Sequence, residues 1–198
     1  PLVTLDLCGC RSLTEEGLCD ALPLIARTLE SLNVRCTPFG DQAALALVAG
    51  GADMVRLNAG CTHLTDRGLA AISEASTRLR VLDLCYCPAV TMVEDPHLLF
   101  AAFTKHGDSL RMLGLGGFER LNGDMLIRIL EKMCTKIEHL GIGCCLGLPI
   151  GAAGGTTFRA EEMANAIIVD MPRLCPNLTA LNAHRLPGVV DRSSLALL

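Results

Sequence analysis

Short segments with apolar residues at their first, fourth and sixth places punctuate the chain. Leu2-Val3-Thr4-Leu5-Asp6-Leu7 sets the form, and Leu29-Glu30-Ser31-Leu32-Asn33-Val34 repeats it. The pattern returns from Leu79 (with Leu82 and Leu84), Leu110 (Leu113, Leu115), Ile137 (Leu140, Ile142) and Leu178 (Leu181, Ala183). Met54-Val55-Arg56-Leu57-Asn58-Ala59 is a weaker copy. Period-two alternation predicts a strand in each, with the residues at places three and five on the face opposite the leucines. The starts at 2, 29, 54, 79, 110, 137 and 178 lie 27, 25, 25, 31, 27 and 41 residues apart, so the two longest units are expected to carry insertions. Helix signals fall between the strands. Thr14 and Thr65 read as N-caps followed by acids that suit a helix N-terminus. Asp95-Pro96 gives a third start, with Pro at the first helical position, and Asp41 and Thr157 or Phe158 begin others. Met125–Met133 reads as a helix apolar on more than one side.

A unit of this size cannot bury its apolar face alone, so neighbouring units must stack. A second match supports the repeat. Cys10-Arg11-Ser12-Leu13-Thr14-Glu15-Glu16-Gly17-Leu18 aligns with Cys61-Thr62-His63-Leu64-Thr65-Asp66-Arg67-Gly68-Leu69 in Cys, Leu, Thr, acid, Gly and Leu. The alignment costs one residue in the Met54 unit, which is read as a slight strand irregularity. Strand, then Gly-Cys, then Leu-Thr-acid-x-Gly-Leu resembles the cysteine-containing leucine-rich repeats of F-box/LRR proteins over nearly the whole chain. The expected fold is an α/β, right-handed leucine-rich-repeat solenoid of about seven repeats, with a parallel concave sheet and helices on the convex side. Residues 1–198 form one domain in this reading, part of a longer array because neither end shows a polar cap, with a Gly-rich insertion near 143–157. The resemblance also implies one possible role, the substrate-recognition part of an F-box-type ubiquitin-ligase receptor. The F-box helices themselves are absent from these residues.

Composition narrows the options. Apolar residues make up 51% of the chain but aromatics only 3%, with no Trp and one Tyr, so Leu, Ile, Val, Ala, Met and Cys must build the core. A net charge of −4 without a basic tract gives no footprint for nucleic-acid phosphates. No charged segment precedes an apolar one at the start, so no secretory signal is read there. Residues 140–158 carry no charge, yet six glycines and Pro149 make the stretch unsuited to a membrane-spanning helix. Eleven cysteines, an odd number without any C-x-x-C, point to reduced, metal-free thiols in an intracellular setting, cytoplasmic, nuclear or ciliary. Cys10, Cys87 and Cys145 fall at place nine of their units, where the chain turns under the sheet, and Cys61 is assigned the matching place. Phe118 and Leu186 stand there in two others, so the corner is expected to select apolar volume.

Nothing in the chain pairs a nucleophile with a base. His63, His97, His106, His139 and His184 are scattered, and Gly114-Leu115-Gly116-Gly117 lacks the Lys-Ser/Thr of a phosphate loop. The sequence therefore implies no enzyme, no cofactor and no metal, and a protein partner. The outward places of the strands are the candidate binding face. They run polar and charged at first, through Asp6, Asn33, Arg35, Arg56, Asn58, Asp83 and Tyr86. Later they become glycine-rich, through Met112, Gly114, Gly116, His139, Gly141, Asn182 and His184. Arg35, Arg56, Asp83 and Tyr86 are expected as anchors. The glycines are expected to form a flat floor for close backbone approach. The function expected is a non-enzymatic interaction scaffold within a larger assembly, of which cytoskeletal, ciliary or organellar complexes are examples.

Overall fold

The computed structural model describes residues 1–91, 105–118, 123–133, 136–144 and 169–183. Within them lie seven three-residue strands: β1 (Thr4–Asp6), β2 (Ser31–Asn33), β3 (Arg56–Asn58), β4 (Val81–Asp83), β5 (Met112–Gly114), β6 (His139–Gly141) and β7 (Ala180–Asn182). Four helices are bounded, α1 (Glu15–Ile25), α2 (Asp41–Ala49), α3 (Asp66–Ala75) and α4 (Gly123–Met133), and residues 169–174 are helical as well. The strands form one open parallel sheet in chain order, β1 through β7. Each strand therefore pairs only with its sequence neighbours. The expected α/β architecture with about seven parallel strands is what the chain adopts.

The register explains the pattern. The fourth place of every unit lies beside the fourth place of the next, giving the row Leu5, Leu32, Leu57, Leu82, Leu113, Leu140, Leu181. From Leu32 to Leu140 these residues are buried, while Leu5 and Leu181 at the two ends are half-buried. Places one and six add Leu29, Val34, Met54, Ala59, Leu79, Leu84, Leu110, Leu115, Ile137 and Ile142 to the same core. The helices close it with Leu18 and Leu22, Ala43, Ala44 and Leu47, Leu69 and Ile72, and Leu126, Ile129 and Leu130. In α4 Leu126, Ile129 and Leu130 are buried, Ile127 packs against the core from beside them, and Arg128 and Glu131 are exposed.

Strand β3 is regular, with Ser31, Leu32 and Asn33 pairing Arg56, Leu57 and Asn58 one to one. The residue that separates the Cys10 and Cys61 segments is therefore absorbed after the strand, not within it. Place eight marks the turn. Gly9, Cys36, Cys61, Tyr86, Gly117 and Cys144 occupy it in successive units, and all six have φ between 54° and 80°. Left-handed backbone costs an L-residue roughly 1–2 kcal/mol, yet four of the six are not glycine. Cys61 belongs to this row. The buried corner at place nine is filled by Thr62 instead, and by Thr37 in the preceding unit. Each threonine hydroxyl donates to a carbonyl three residues back, Thr37 to Val34 and Thr62 to Ala59, both at 2.6 Å. The Cys87 thiol donates to the same Ala59 carbonyl at 2.9 Å. The corner thus selects a small hydrogen-bonding group as readily as apolar volume. Cys145 and Leu186 lie outside the described residues.

The predicted caps are in place: Thr14 accepts from the Gly17 amide and Thr65 from the Arg67 amide. The acids beside them do more than favour their own helix. Glu15 of α1 accepts the Gln42 and Ala43 amides of α2, which has no side-chain cap of its own. Asp41 of α2 accepts the Thr65 amide at 2.9 Å, the Thr65 hydroxyl at 2.6 Å and the Gly68 amide at 3.2 Å. Asp66 of α3 accepts the amide and hydroxyl of Thr91. In each of the first three units one carboxylate thus caps the next unit. The proposed starts at Asp95 and at Thr157 or Phe158, and the insertion from Cys145 onward, lie outside the described residues. No helix among the described residues is long and apolar enough to cross a membrane.

Replacing Asp41 with Ala should lower unfolding stability by about 1–2 kcal/mol, the range for losing a helix cap. Asp41→Asn should recover part of this, and urea denaturation reads both. A second outcome concerns His106, which is 2% exposed and bonded through Nε2 to the Ser73 carbonyl at 3.0 Å. Burial holds its pKa below the ordinary value. The unfolded chain then takes the proton first, so stability should fall as pH drops below about 6.5, and His106→Gln should flatten that slope.

Candidate interaction face

Each strand sends its fourth residue into the core and its third and fifth to the other side, so one sheet face is covered by helices and the other is open. Two rows run along the open face. Thr4, Ser31, Arg56, Val81, Met112, His139 and Ala180 form one, and Asp6, Asn33, Asn58, Asp83, Gly114, Gly141 and Asn182 the other. Eleven of the fourteen expected contact residues therefore share this face directly or flank it at place seven, as Arg35 does. Tyr86, Gly116 and His184 differ.

The first four members of the second row have a task within the fold. Asp6, Asn33, Asn58 and Asp83 each accept, through the side-chain oxygen, the amide two residues on: Cys8 at 2.8 Å, Arg35 at 3.2 Å, Gly60 at 3.2 Å and Cys85 at 3.0 Å. Asn33 also donates to Asp6 across the strands. These short polar side chains turn the chain at each strand end, where Asn and Asp commonly satisfy local amides. Arg35 reaches past the third unit to within 4.0 Å of Asp83. Gly60 makes the span possible, since a Cβ there would meet the Arg35 guanidinium. Gly60 stands at place seven between Arg35 and Cys85, where the strand pattern carries no signal for it.

A groove of about 290 Å³ opens where aspartate and asparagine give way to glycine. It is lined by Asp83, Cys85, Met112, Gly114, His139, Gly141 and Asn182 together with Leu140, Ala180 and Leu181. Six of the expected residues thus meet at one place. Cys85, Ala180 and the two leucines were missed. In the sequence Cys85 reads as one of the structural thiols and the leucines as core.

The glycines in the floor are not equivalent. A Cβ on Gly141 would make ordinary contacts, the nearest at 3.6 Å. On Gly114 it would lie 2.5 Å from an Asp83 oxygen, and on Gly116 it would lie 3.0 Å from the Gly143 carbonyl. Both are buried, but Gly114 lines the groove whereas Gly116 does not and is a packing position. Tyr86 lies at the turn with its ring against Gly117, lining a separate cavity of about 420 Å³ with Cys87, Pro88, Val90, Thr91, Gly117 and Phe118. His184 lies outside the described residues.

Arg56, Met112 and His139 are exposed, with no ion pair or side-chain hydrogen bond among the described residues. Cys85 is the nucleophile nearest the groove. Burial first, and then the hydrogen bond and charge of Asp83, push its thiol up to about 12. At neutral pH it stays protonated and packs as a small apolar group. No cluster of three or more His, Cys, Asp or Glu suited to a metal occurs among the described residues.

No protein-family model matches the chain, and no curated protein matches it. Among solved structures it is similar to the crystal structure of the Rad7 and Elc1 complex in yeast, with 16% identity and a TM-score of 0.35 over 98% of this chain and 69% of that one.

Asp83→Asn keeps an acceptor for the Cys85 amide but removes the charge. The Cys85 pKa should then fall, and its alkylation at pH 8 should accelerate about tenfold per unit of that fall. Quantitative mass spectrometry, with the exposed Cys8 and Cys10 as unchanged internal references, measures the rate at each cysteine.

Proposed function

We propose that this chain is the repeat segment of a leucine-rich-repeat solenoid of the cysteine-containing type, and that it acts as a non-enzymatic scaffold that binds another protein. One observation carries the reading. The sheet is covered by helices on one face, and on the other it presents Arg56, Met112 and His139 with no side-chain partner among the described residues, beside a groove floored by Gly114 and Gly141. Arg and Met are enriched in protein interfaces, and an arginine without an internal partner is free to form a bidentate pair with a partner's carboxylate.

The stack supports the same reading. Because each strand pairs only with its neighbours, equivalent places line up, and residues far apart in sequence become one extended surface. Folding fixes the leucine row and the polar turn residues, whereas the third-place row has no such duty and is available for recognition. A subunit of a larger assembly is the natural setting for such a surface.

Affinity purification of tagged protein tests this with two sets of variants. Met112→Asp and Gly141→Trp alter the open face, and Arg67→Glu and Glu74→Lys alter exposed helix positions. Proteins recovered by the unaltered chain should be lost at least tenfold with the open-face variants, equivalent to about 1.4 kcal/mol. They should be retained with the helix variants, all four melting as the unaltered chain does. Loss only with the helix variants would assign docking to the helical side.

A further inference from the structure

The row at place eight contains one pair of neighbouring cysteines among the described residues, Cys36 and Cys61. Twenty-five residues separate them in sequence, but the fold sets their units side by side. The Cys36 amide donates to the Gly60 carbonyl at 3.0 Å, which fixes the two turns in step. Both residues have the same left-handed backbone, with φ of 56° and 54°. Both are half-exposed free thiols, and both line one recess of about 420 Å³ with Arg11, Thr37 and His63. Adjacent strands lie about 4.8 Å apart, inside the 4.4–6.8 Å span of Cα separations that a disulfide bridges.

We propose that Cys36 and Cys61 form a dithiol modification site that closes to an intramolecular disulfide by exchange with a small-molecule disulfide. A deprotonated thiol of the pair attacks one sulfur of the small disulfide, forming a mixed disulfide and expelling one small thiolate. The second protein thiolate attacks the protein sulfur of that mixed disulfide, closes the Cys36–Cys61 bond and expels the other small thiolate. Two protein S–H bonds are lost and two small-molecule S–H bonds are formed. The protein is oxidised by two electrons and the small disulfide is reduced.

The same geometry makes the closed form labile. Side chains leaving neighbouring turns in one direction keep the ladder spacing of about 4.8 Å, whereas the Cβ atoms of a disulfide sit about 3.8 Å apart. The two turns must lean together by roughly 1 Å, and strained, accessible disulfides are the readily reduced ones. Of the other described thiols, Cys87 and Cys175 are buried, Cys8 and Cys10 are exposed at the first turn, and Cys19, Cys85 and Cys144 are half-exposed. Burial holds the Cys61 thiol above its ordinary value, with Arg35 pulling it down and Cys36 pushing it back up, so the pair already acts as neighbours.

Oxidised glutathione is the probe. The full chain is incubated with it, quenched with N-ethylmaleimide, digested with trypsin and mapped by mass spectrometry. Cleavage after Arg35, Arg56 and Arg67 puts Cys36 and Cys61 in separate peptides. The expected result is a linked pair of those peptides, lighter by two hydrogens than their sum and separated by dithiothreitol. In Cys36→Ser and Cys61→Ser the remaining cysteine should accumulate as a stable glutathione mixed disulfide. The unaltered chain carries the primary readout, so a variant that fails to fold does not remove the test. The proposal is overturned if Cys36 and Cys61 of the unaltered chain end as separate mixed disulfides. It is equally overturned if both remain alkylated as free thiols after Cys8 and Cys10 have reacted, or if either links to a different cysteine.

Discussion

Everything in this molecule depends on one row of leucines kept in step by parallel hydrogen bonding. The fourth residue of each strand stacks on the fourth residue of the next, from Leu5 to Leu181, and the interior rungs are almost wholly removed from water. A strand of three residues has too few hydrogen bonds and too little apolar area to persist alone. It persists because the leucine above and the leucine below exclude water from it. An interior rung truncated to alanine would forfeit about 2–5 kcal/mol, and both neighbouring units would feel it. A one-residue slip of any unit would turn its leucine to the open face, so register and burial enforce each other.

The polar groups obey the same rule of neighbour on neighbour. Glu15, Asp41 and Asp66 each cap the helix or turn of the following unit, and Asp6, Asn33, Asn58 and Asp83 each close the turn of their own strand. Backbone amides are thereby satisfied at both ends of the repeat without large side chains. The left-handed turn at place eight is the exception to economy. Non-glycine residues hold a costly conformation there, and a tyrosine and a cysteine pair stand among them.

The leucine spacing made the parallel sheet legible, because a period of two inside a period near 25 residues admits few other arrangements. Thr14 and Thr65 were legible as caps for the same local reason. Less visible was anything requiring two units to be seen together. The capping of one unit by the acid of the previous one, the reach of Arg35 over Gly60 to Asp83, and the meeting of Cys36 with Cys61 depend on which residues become neighbours only after stacking. The placement of Cys61 misled because matching letters, Cys through Leu, favoured an alignment that the strand register does not keep; Thr62 holds the corner instead. The candidate face was legible as a set of outward places, but not its division. Asp and Asn in the early units serve the turns, Gly116 is packed away, and Met112, His139 and Gly141 remain open.

On the proposed reading the open sheet face, and not the helical face, meets a protein partner. Site-specific incorporation of a benzophenone photo-cross-linker tests it directly, once at position 139 on the open face and once at position 67 on α3, followed by irradiation in the cellular setting. The expected result is discrete covalent adducts with another protein from position 139 and none, or the background pattern alone, from position 67. Adducts from position 67 with none from position 139 would contradict it.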